Sequence, residues 1–73
     1  MKIKIKHLTV AQAFERDIID LRIAIIAQRH NVYSMKKLLS YDEHTFNTWR
    51  GFGNKSLVIT NNLRECADNE IEL

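Results

Sequence analysis

The glycines of this chain lie together, and their placement constrains the fold more than any other feature. There are two glycines and no prolines in 73 residues, and both glycines occur in the run Gly51-Phe52-Gly53. Because glycine adopts backbone conformations that other residues avoid, a glycine-hydrophobe-glycine run between two helical segments predicts a tight hairpin. We expect the Phe52 side chain to point inward and anchor the turn.

Apolar residues recur at helical spacing before this hairpin, at Val10, Ala13, Phe14, Ile18, Leu21 and Ile25. Thr9 followed three residues later by Gln12 fits the capping-box pattern of a helix start. Asp20 could cap a second helix that begins at Leu21. One long helix or two short ones are therefore both compatible with this half of the chain.

Further capping residues divide the rest of the chain. Ser34 and Asp42 are suited to begin two short helices, and a last helix should run from about Asn54 to Ala67. The expected fold class is all-α. We predict a compact bundle of four to five short helices over residues 9–67, ending in a helix-hairpin-helix.

The two ends of the chain carry different patterns. Residues 1–6 alternate Lys and Ile, which is the period of a β-strand. A strand needs a partner, and the only other β-rich run is Ser56–Thr60, so residues 1–8 form either a flexible basic arm or a short edge strand. Residues 68–73 form an acidic tail that we expect to fray.

The charge is distributed unevenly. The net charge is +2, but residues 1–64 contain eleven bases and five acids, a net of +6. The remaining four acids all lie in the last nine residues. A basic body with an acidic tail is compatible with nucleic acid or another anionic partner.

The length of the chain favours a binding module over an enzyme. A domain of this size buries only about 60% of its unfolded surface, which leaves little room for a core and a substrate pocket together. No serine, cysteine or histidine has the context of a nucleophile. The three histidines are scattered without cysteine or carboxylate at ligand spacing. We therefore expect no catalysis, no metal and no cofactor.

Two features bear on where the protein resides. No apolar run approaches the roughly 18 residues that a transmembrane helix needs, so we expect no membrane partner. Cys66 is the only cysteine, so no internal disulfide can form. A reduced, cytoplasmic location is the resulting expectation.

The hairpin segment Arg50-Gly51-Phe52-Gly53-Asn54-Lys55-Ser56 is the candidate binding site. Glycines here leave no Cβ between the backbone and a ligand. The following helix begins with free backbone N–H groups and the positive end of the helix dipole, an arrangement that binds phosphate. Lys55 adds a charge and Ser56 adds a hydroxyl donor.

The stretch from about Ile19 to Leu63 resembles the C-terminal domain of bacterial RNA polymerase alpha, which is a helix-hairpin-helix family. The resemblance rests on Leu21-Arg22, Leu38-Leu39, Asp42 with Phe46, and Gly53-Asn54-Lys55-Ser56-Leu57. It implies double-stranded DNA as the partner, bound through phosphates and the minor groove, either without sequence preference or at AT-rich sites. It also implies a link to transcription and assigns the DNA contacts to Arg22, Gly53, Lys55 and Ser56.

The chain also departs from this family. Ile25 stands where an asparagine is usual, Ile59 replaces an acidic residue, and Thr60 replaces an isoleucine. The first nineteen residues have no counterpart. These differences indicate a divergent or stand-alone member.

Two alternatives stay open. The isoleucines Ile23, Ile25 and Ile26 exceed what one helical stripe can bury, which would suit a protein-interaction adaptor with the same fold and no DNA binding. A helix-turn-helix built on Leu38-Leu39 and the segment Thr45–Arg50 is the second DNA-binding interpretation.

Overall fold

Five α-helices and two short strands make up the computed structural model of the protein, which describes residues 1–73. Strand β1 is Lys2–Lys4 and strand β2 is Glu70–Glu72. The helices are α1 (Val10–Glu15), α2 (Leu21–Arg29), α3 (Met35–Leu38), α4 (Glu43–Asn47) and α5 (Asn54–Glu65). A single 3₁₀ turn, Ile5–His7, follows β1.

The all-α prediction is wrong, because the two ends of the chain form a sheet. Strands β1 and β2 pair antiparallel, with Ile3 opposite Ile71. Lys2 faces Glu72 and Lys4 faces Glu70, so opposite charges lie across the pair on its exposed face. The β-rich run Ser56–Thr60 lies inside α5 instead. The fold is thus mostly helical with a small sheet that joins the termini.

Ion pairs reinforce this sheet. The Asp68 carboxylate lies 2.7 Å from the Lys6 ammonium and 3.9 Å from that of Lys4. The Met1 amino group lies 3.0 Å from a carboxylate oxygen of Glu72. The hydrogen bond from Lys6 holds the pKa of Asp68 below its usual value of 3.8. The acidic end, which we expected to fray, is therefore folded back onto the basic end.

The helix starts follow the capping residues. The Thr9 hydroxyl and the Gln12 side chain exchange hydrogen bonds of 3.0 Å with each other's backbone N–H groups, which confirms the capping box. Asp20 accepts a bond from Ile23 N at 2.9 Å, so α1 and α2 are separate helices. The predicted caps at Ser34 and Asp42 are also confirmed. At each helix start, the side-chain oxygen of the cap accepts a backbone N–H that would otherwise have no hydrogen-bond partner.

An aromatic cluster joins the hairpin to the core. Phe46, Trp49 and Phe52 are all buried, as predicted for Phe52. The rings of Phe46 and Phe52 stack with centroids 4.5 Å apart, and Trp49 meets both rings edge-on. The packing of Phe52 against these rings therefore holds the hairpin against the core. Helix α4 is only five residues long, which is short for the recognition helix of a helix-turn-helix.

Arg64 ties α5 to the connection between α3 and α4. Its Nε donates to the Leu39 carbonyl oxygen at 3.0 Å, and a terminal nitrogen donates to the Tyr41 carbonyl oxygen. The sequence contains no local sign of this role, because the acceptors lie more than twenty residues away in the chain. The forked guanidinium satisfies two carbonyls that no helix pairs.

Replacing Arg64 with alanine should lower the free energy of unfolding by about 1–2 kcal/mol, because charged donors to backbone carbonyls are lost. For a domain of this size the melting temperature should fall by roughly 5–10 °C. Thermal unfolding followed by circular dichroism measures the change. Arg29→Ala is the matched control, since Arg29 is exposed and forms no ion pair. Equal melting temperatures for the two variants would contradict the role of Arg64.

Candidate nucleic-acid interface

The start of α5 is an uncapped helix N-terminus. Gly53 occupies the N-cap position and has no side chain to accept a bond from the first turn. The backbone N–H groups of residues 54–56 donate no hydrogen bond within the chain, and the first N–H to do so belongs to Leu57, which donates to Gly53 O at 3.1 Å. Helix α5 is twelve residues long, so its dipole adds a positive potential at this end.

Ser56 lies at this helix start with an unused hydroxyl. The residue is only 2% exposed, yet its hydroxyl forms no hydrogen bond within the chain. No fully buried side-chain polar atom of the protein lacks a partner, so the Ser56 oxygen must reach the surface of the depression that the residue lines. The Ser56 hydroxyl is therefore available to hydrogen-bond a group that enters that depression.

A depression of about 400 Å³ surrounds the N-terminus of α5. Its lining residues are Asp20, Leu21, Arg22, Gly53, Lys55 and Ser56. The four residues to which the resemblance assigns DNA contacts, Arg22, Gly53, Lys55 and Ser56, therefore come together although α2 and α5 are far apart in sequence. Asp20 is the one acid present, and its carboxylate already accepts the N–H of Ile23.

The remaining hairpin residues lie around a second depression, of about 480 Å³. Its lining residues are Leu21, Arg22, Ile25, Ile26, Arg29, Arg50 and Gly51. Leu21 and Arg22 line both depressions, so the two are neighbours on one face. Asn54 is exposed and lines neither depression. We call the first the Ser56 depression and the second the arginine groove.

The sequence interpretation missed Arg29. It lies seven residues after Arg22 on α2, which places both on the same face of the helix two turns apart. That spacing was the available signal. With Arg22, Arg50 and Lys55, it brings four cationic side chains to the two depressions.

None of these four cations forms an ion pair. All three ion pairs of the protein join the termini and involve Met1, Lys4, Lys6, Asp68 and Glu72. The acidic tail therefore neutralises part of the positive charge near the N-terminus, and the net charge of +6 for residues 1–64 overestimates how basic that part of the surface is. Four cations without an ion pair thus line the two depressions, where their charge can attract an anion.

The hairpin glycines differ from each other. Gly51 has φ +86°, a left-handed conformation that favours glycine. Gly53 has φ −88° with extended backbone, and a Cβ built there would meet nothing within 4 Å. A side chain at Gly53 would therefore introduce no backbone strain. Because Gly53 has no side chain, a ligand can approach the backbone N–H groups at the N-terminus of α5.

The isoleucines of α2 do not form one exposed surface. Ile23 is 0% exposed and Ile26 is 4% exposed, so both belong to the core. Ile25 is 41% exposed and lines the arginine groove. A docking surface built from all three is thus excluded by the burial of Ile23, and only Ile25 is free to contact a partner.

No three histidine, cysteine or acidic side chains lie close enough together to hold a metal ion. His30 stacks on Trp49, with ring centroids 4.3 Å apart and planes 7° from parallel. None of the helices has the length and apolar character needed to cross a membrane.

Comparison of the chain with protein-family models, with curated proteins and with solved structures gives no match.

Proposed function

We propose that the protein is a non-enzymatic DNA-binding module that holds the phosphate backbone of a duplex at the Ser56 depression. The observation that carries this proposal is the uncapped start of α5, where free backbone N–H groups, the Ser56 hydroxyl and Lys55 converge. Each is a donor or cation of the kind that contacts phosphate oxygens. Asp20 is the one acid that lines this depression, and its carboxylate accepts the N–H of Ile23.

The position of Arg22 extends the contact toward the minor groove. Its side chain lies between the Ser56 depression and the arginine groove, where Arg29 and Arg50 add positive charge. A phosphate seated at Ser56 would place Arg22 beside the same backbone, and arginine is the side chain that narrow minor grooves attract. Little base reading is expected, so binding should be non-specific or favour AT-rich sites.

This arrangement supports the resemblance to the polymerase alpha C-terminal domains as a further part of the proposal. The residues that the resemblance selects from α2 and from the hairpin are the ones that line the Ser56 depression. We propose a divergent or stand-alone relative that acts in the cytoplasm, in connection with transcription. The Ile25 replacement places an apolar residue beside the proposed DNA contacts.

A titration of duplex DNA at several salt concentrations tests the proposal. With three or four phosphates neutralised, log K should fall against log salt with a slope of about −3. Lys55→Ala should weaken all duplexes about equally and reduce the slope by about one. Arg22→Ala should weaken AT-rich duplexes most.

Lys36→Ala is the matched control, because Lys36 is an exposed lysine of α3 outside both depressions. It should leave the affinity and the slope almost unchanged. Absence of binding at low salt, or equal losses for Lys36→Ala and Lys55→Ala, would reject this interface.

A further inference from the structure

The arginine groove has an apolar floor that a DNA contact does not need. Leu21 is 56% exposed and Ile25 is 41% exposed, and they lie one helical turn apart on α2. The buried Ile26 and the bare backbone of Gly51 complete the lining. Exposed aliphatic side chains gathered in a concave site indicate a partner that also presents apolar groups.

The rim of the same groove is cationic. Arg22, Arg29 and Arg50 line it, and none of them forms an ion pair within the chain. Arginine pairs with carboxylates through two parallel hydrogen bonds, and it is enriched at protein interfaces. The occupant that complements this groove is thus negatively charged at its edges and apolar at its centre.

The chemistry of the groove favours a protein partner over a DNA duplex. A phosphate backbone offers the rim its charges but offers the floor nothing apolar. An amphipathic acidic peptide supplies both kinds of contact.

We propose that the arginine groove binds an acidic, apolar segment of a partner protein. One or two large apolar side chains of that segment contact Leu21 and Ile25, and its flanking carboxylates pair with the rim arginines. The inference stands independently of DNA binding, because Ile25, Arg29 and Arg50 line the arginine groove and not the Ser56 depression. Since both partners would use Arg22, the peptide and DNA compete.

The test uses the full chain labelled with ¹⁵N and three synthetic peptides of about twelve residues, long enough to cross an interface groove. The first alternates leucine and phenylalanine with aspartate and glutamate. The second keeps the acids and replaces the apolar residues with serine, and the third keeps the apolar residues and replaces the acids with lysine. Saturable shift changes centred on residues 21–29 and 50–51 are expected with the first peptide. The other two should bind at least roughly tenfold more weakly, because each lacks one class of contact.

Variants distinguish this inference from the proposed DNA function. Ile25→Ser should weaken the first peptide by about tenfold and leave duplex affinity within about twofold, because only the apolar floor changes. Lys55→Ala should have the opposite pattern. If Ile25→Ser fails to fold, Ile25→Ala replaces it, and it should weaken the first peptide severalfold with the duplex affinity again almost unchanged.

Three results would overturn the inference. They are equal binding of the serine peptide, shift changes outside the groove, or no saturable binding of the first peptide up to roughly 1 mM. Failure of DNA titration with successful peptide binding would remove the proposed function alone. Failure of the peptide with successful DNA binding would remove only the peptide site.

Discussion

Ile23→Glu is expected to unfold the protein. Ile23 is 0% exposed and belongs to the core cluster of sixteen residues. A glutamate there must bury its carboxylate without a partner or take up a proton, and either outcome costs more than about 4 kcal/mol. A domain of this length has a total stability of roughly 4–11 kcal/mol. The native state should therefore lose most or all of its population.

Ile25→Glu, two residues further along α2, is the matched control. Ile25 is 41% exposed, and its new carboxylate would lie one helical turn from Arg22 and from Arg29. Such pairs contribute a few tenths of a kcal/mol, so the fold should be retained. Circular dichroism and the dispersion of amide signals in ¹H–¹⁵N spectra measure the outcome. A folded Ile23→Glu with a melting temperature close to the parent would show that α2 presents a different face to the core.

The contrast between Ile23 and Ile25 shows what the periodicity of apolar residues can and cannot predict about burial. Three isoleucines in four residues exceed one helical stripe, and the surplus was correctly recognised from the sequence. Which residue is the surplus depends on the phase of α2, and that phase is set by packing against the rest of the chain. Ile23 and Ile26 share the buried face with Ala27, and Ile25 is left outside it.

Local signals predicted the helix starts well. Thr9, Asp20, Ser34 and Asp42 each accept a bond from a backbone N–H three residues later. The geometry of such a cap involves only four residues, so the sequence contains the whole interaction. The separate helices α1 and α2 follow from the Asp20 cap in the same way.

The sheet could not be predicted in the same manner. Strands β1 and β2 are three residues each and lie at opposite ends of the chain. A three-residue strand gives almost no periodic signal, and pairing across such a separation depends on where the helical body brings the termini. The same pairing invalidates the simple charge division at residue 64, because Asp68 and Glu72 lie against basic groups.

The candidate site was predictable in part. The hairpin chemistry indicated Lys55 and Ser56, and the resemblance added Arg22, but the sequence alone could not separate the Ser56 depression from the arginine groove. In the folded chain Gly51 lines the arginine groove and Gly53 lines the Ser56 depression, while Leu21 and Arg22 line both. The backbone φ angles of the two glycines also differ, and the sequence alone does not show this difference.

The difference between the glycines leads to the second large effect, on Gly51→Val. A β-branched residue at φ +86° is strained by about 1–3 kcal/mol. The cost arises from the backbone, because a Cβ at Gly51 would lie 3.5 Å from Cδ1 of Ile26, an ordinary contact distance. The melting temperature should fall by roughly 5–15 °C for a domain of this size.

Gly53→Val should show the opposite balance of effects. Its φ of −88° suits valine and no atom lies within 4 Å of the new Cβ, so only a weaker N-cap, worth less than about 1 kcal/mol, is lost. The side chain nevertheless stands at the entrance to the free N–H groups of residues 54–56. Duplex affinity should fall on the order of tenfold at temperatures where the variant is fully folded.

Thermal unfolding and DNA titration of both glycine variants form one experiment with four results. Gly51→Val, measured well below its melting temperature, should retain most of its duplex affinity, because Gly51 lies outside the Ser56 depression. If Gly53→Val is the less stable variant, the extended conformation at Gly53 is wrong. If it is stable and binds DNA like the parent, phosphate does not approach the α5 N-terminus, and the duplex must be held by the arginines of α2 and Arg50 alone. Only loss of stability at Gly51 together with loss of DNA affinity at Gly53 agrees with the proposed interface.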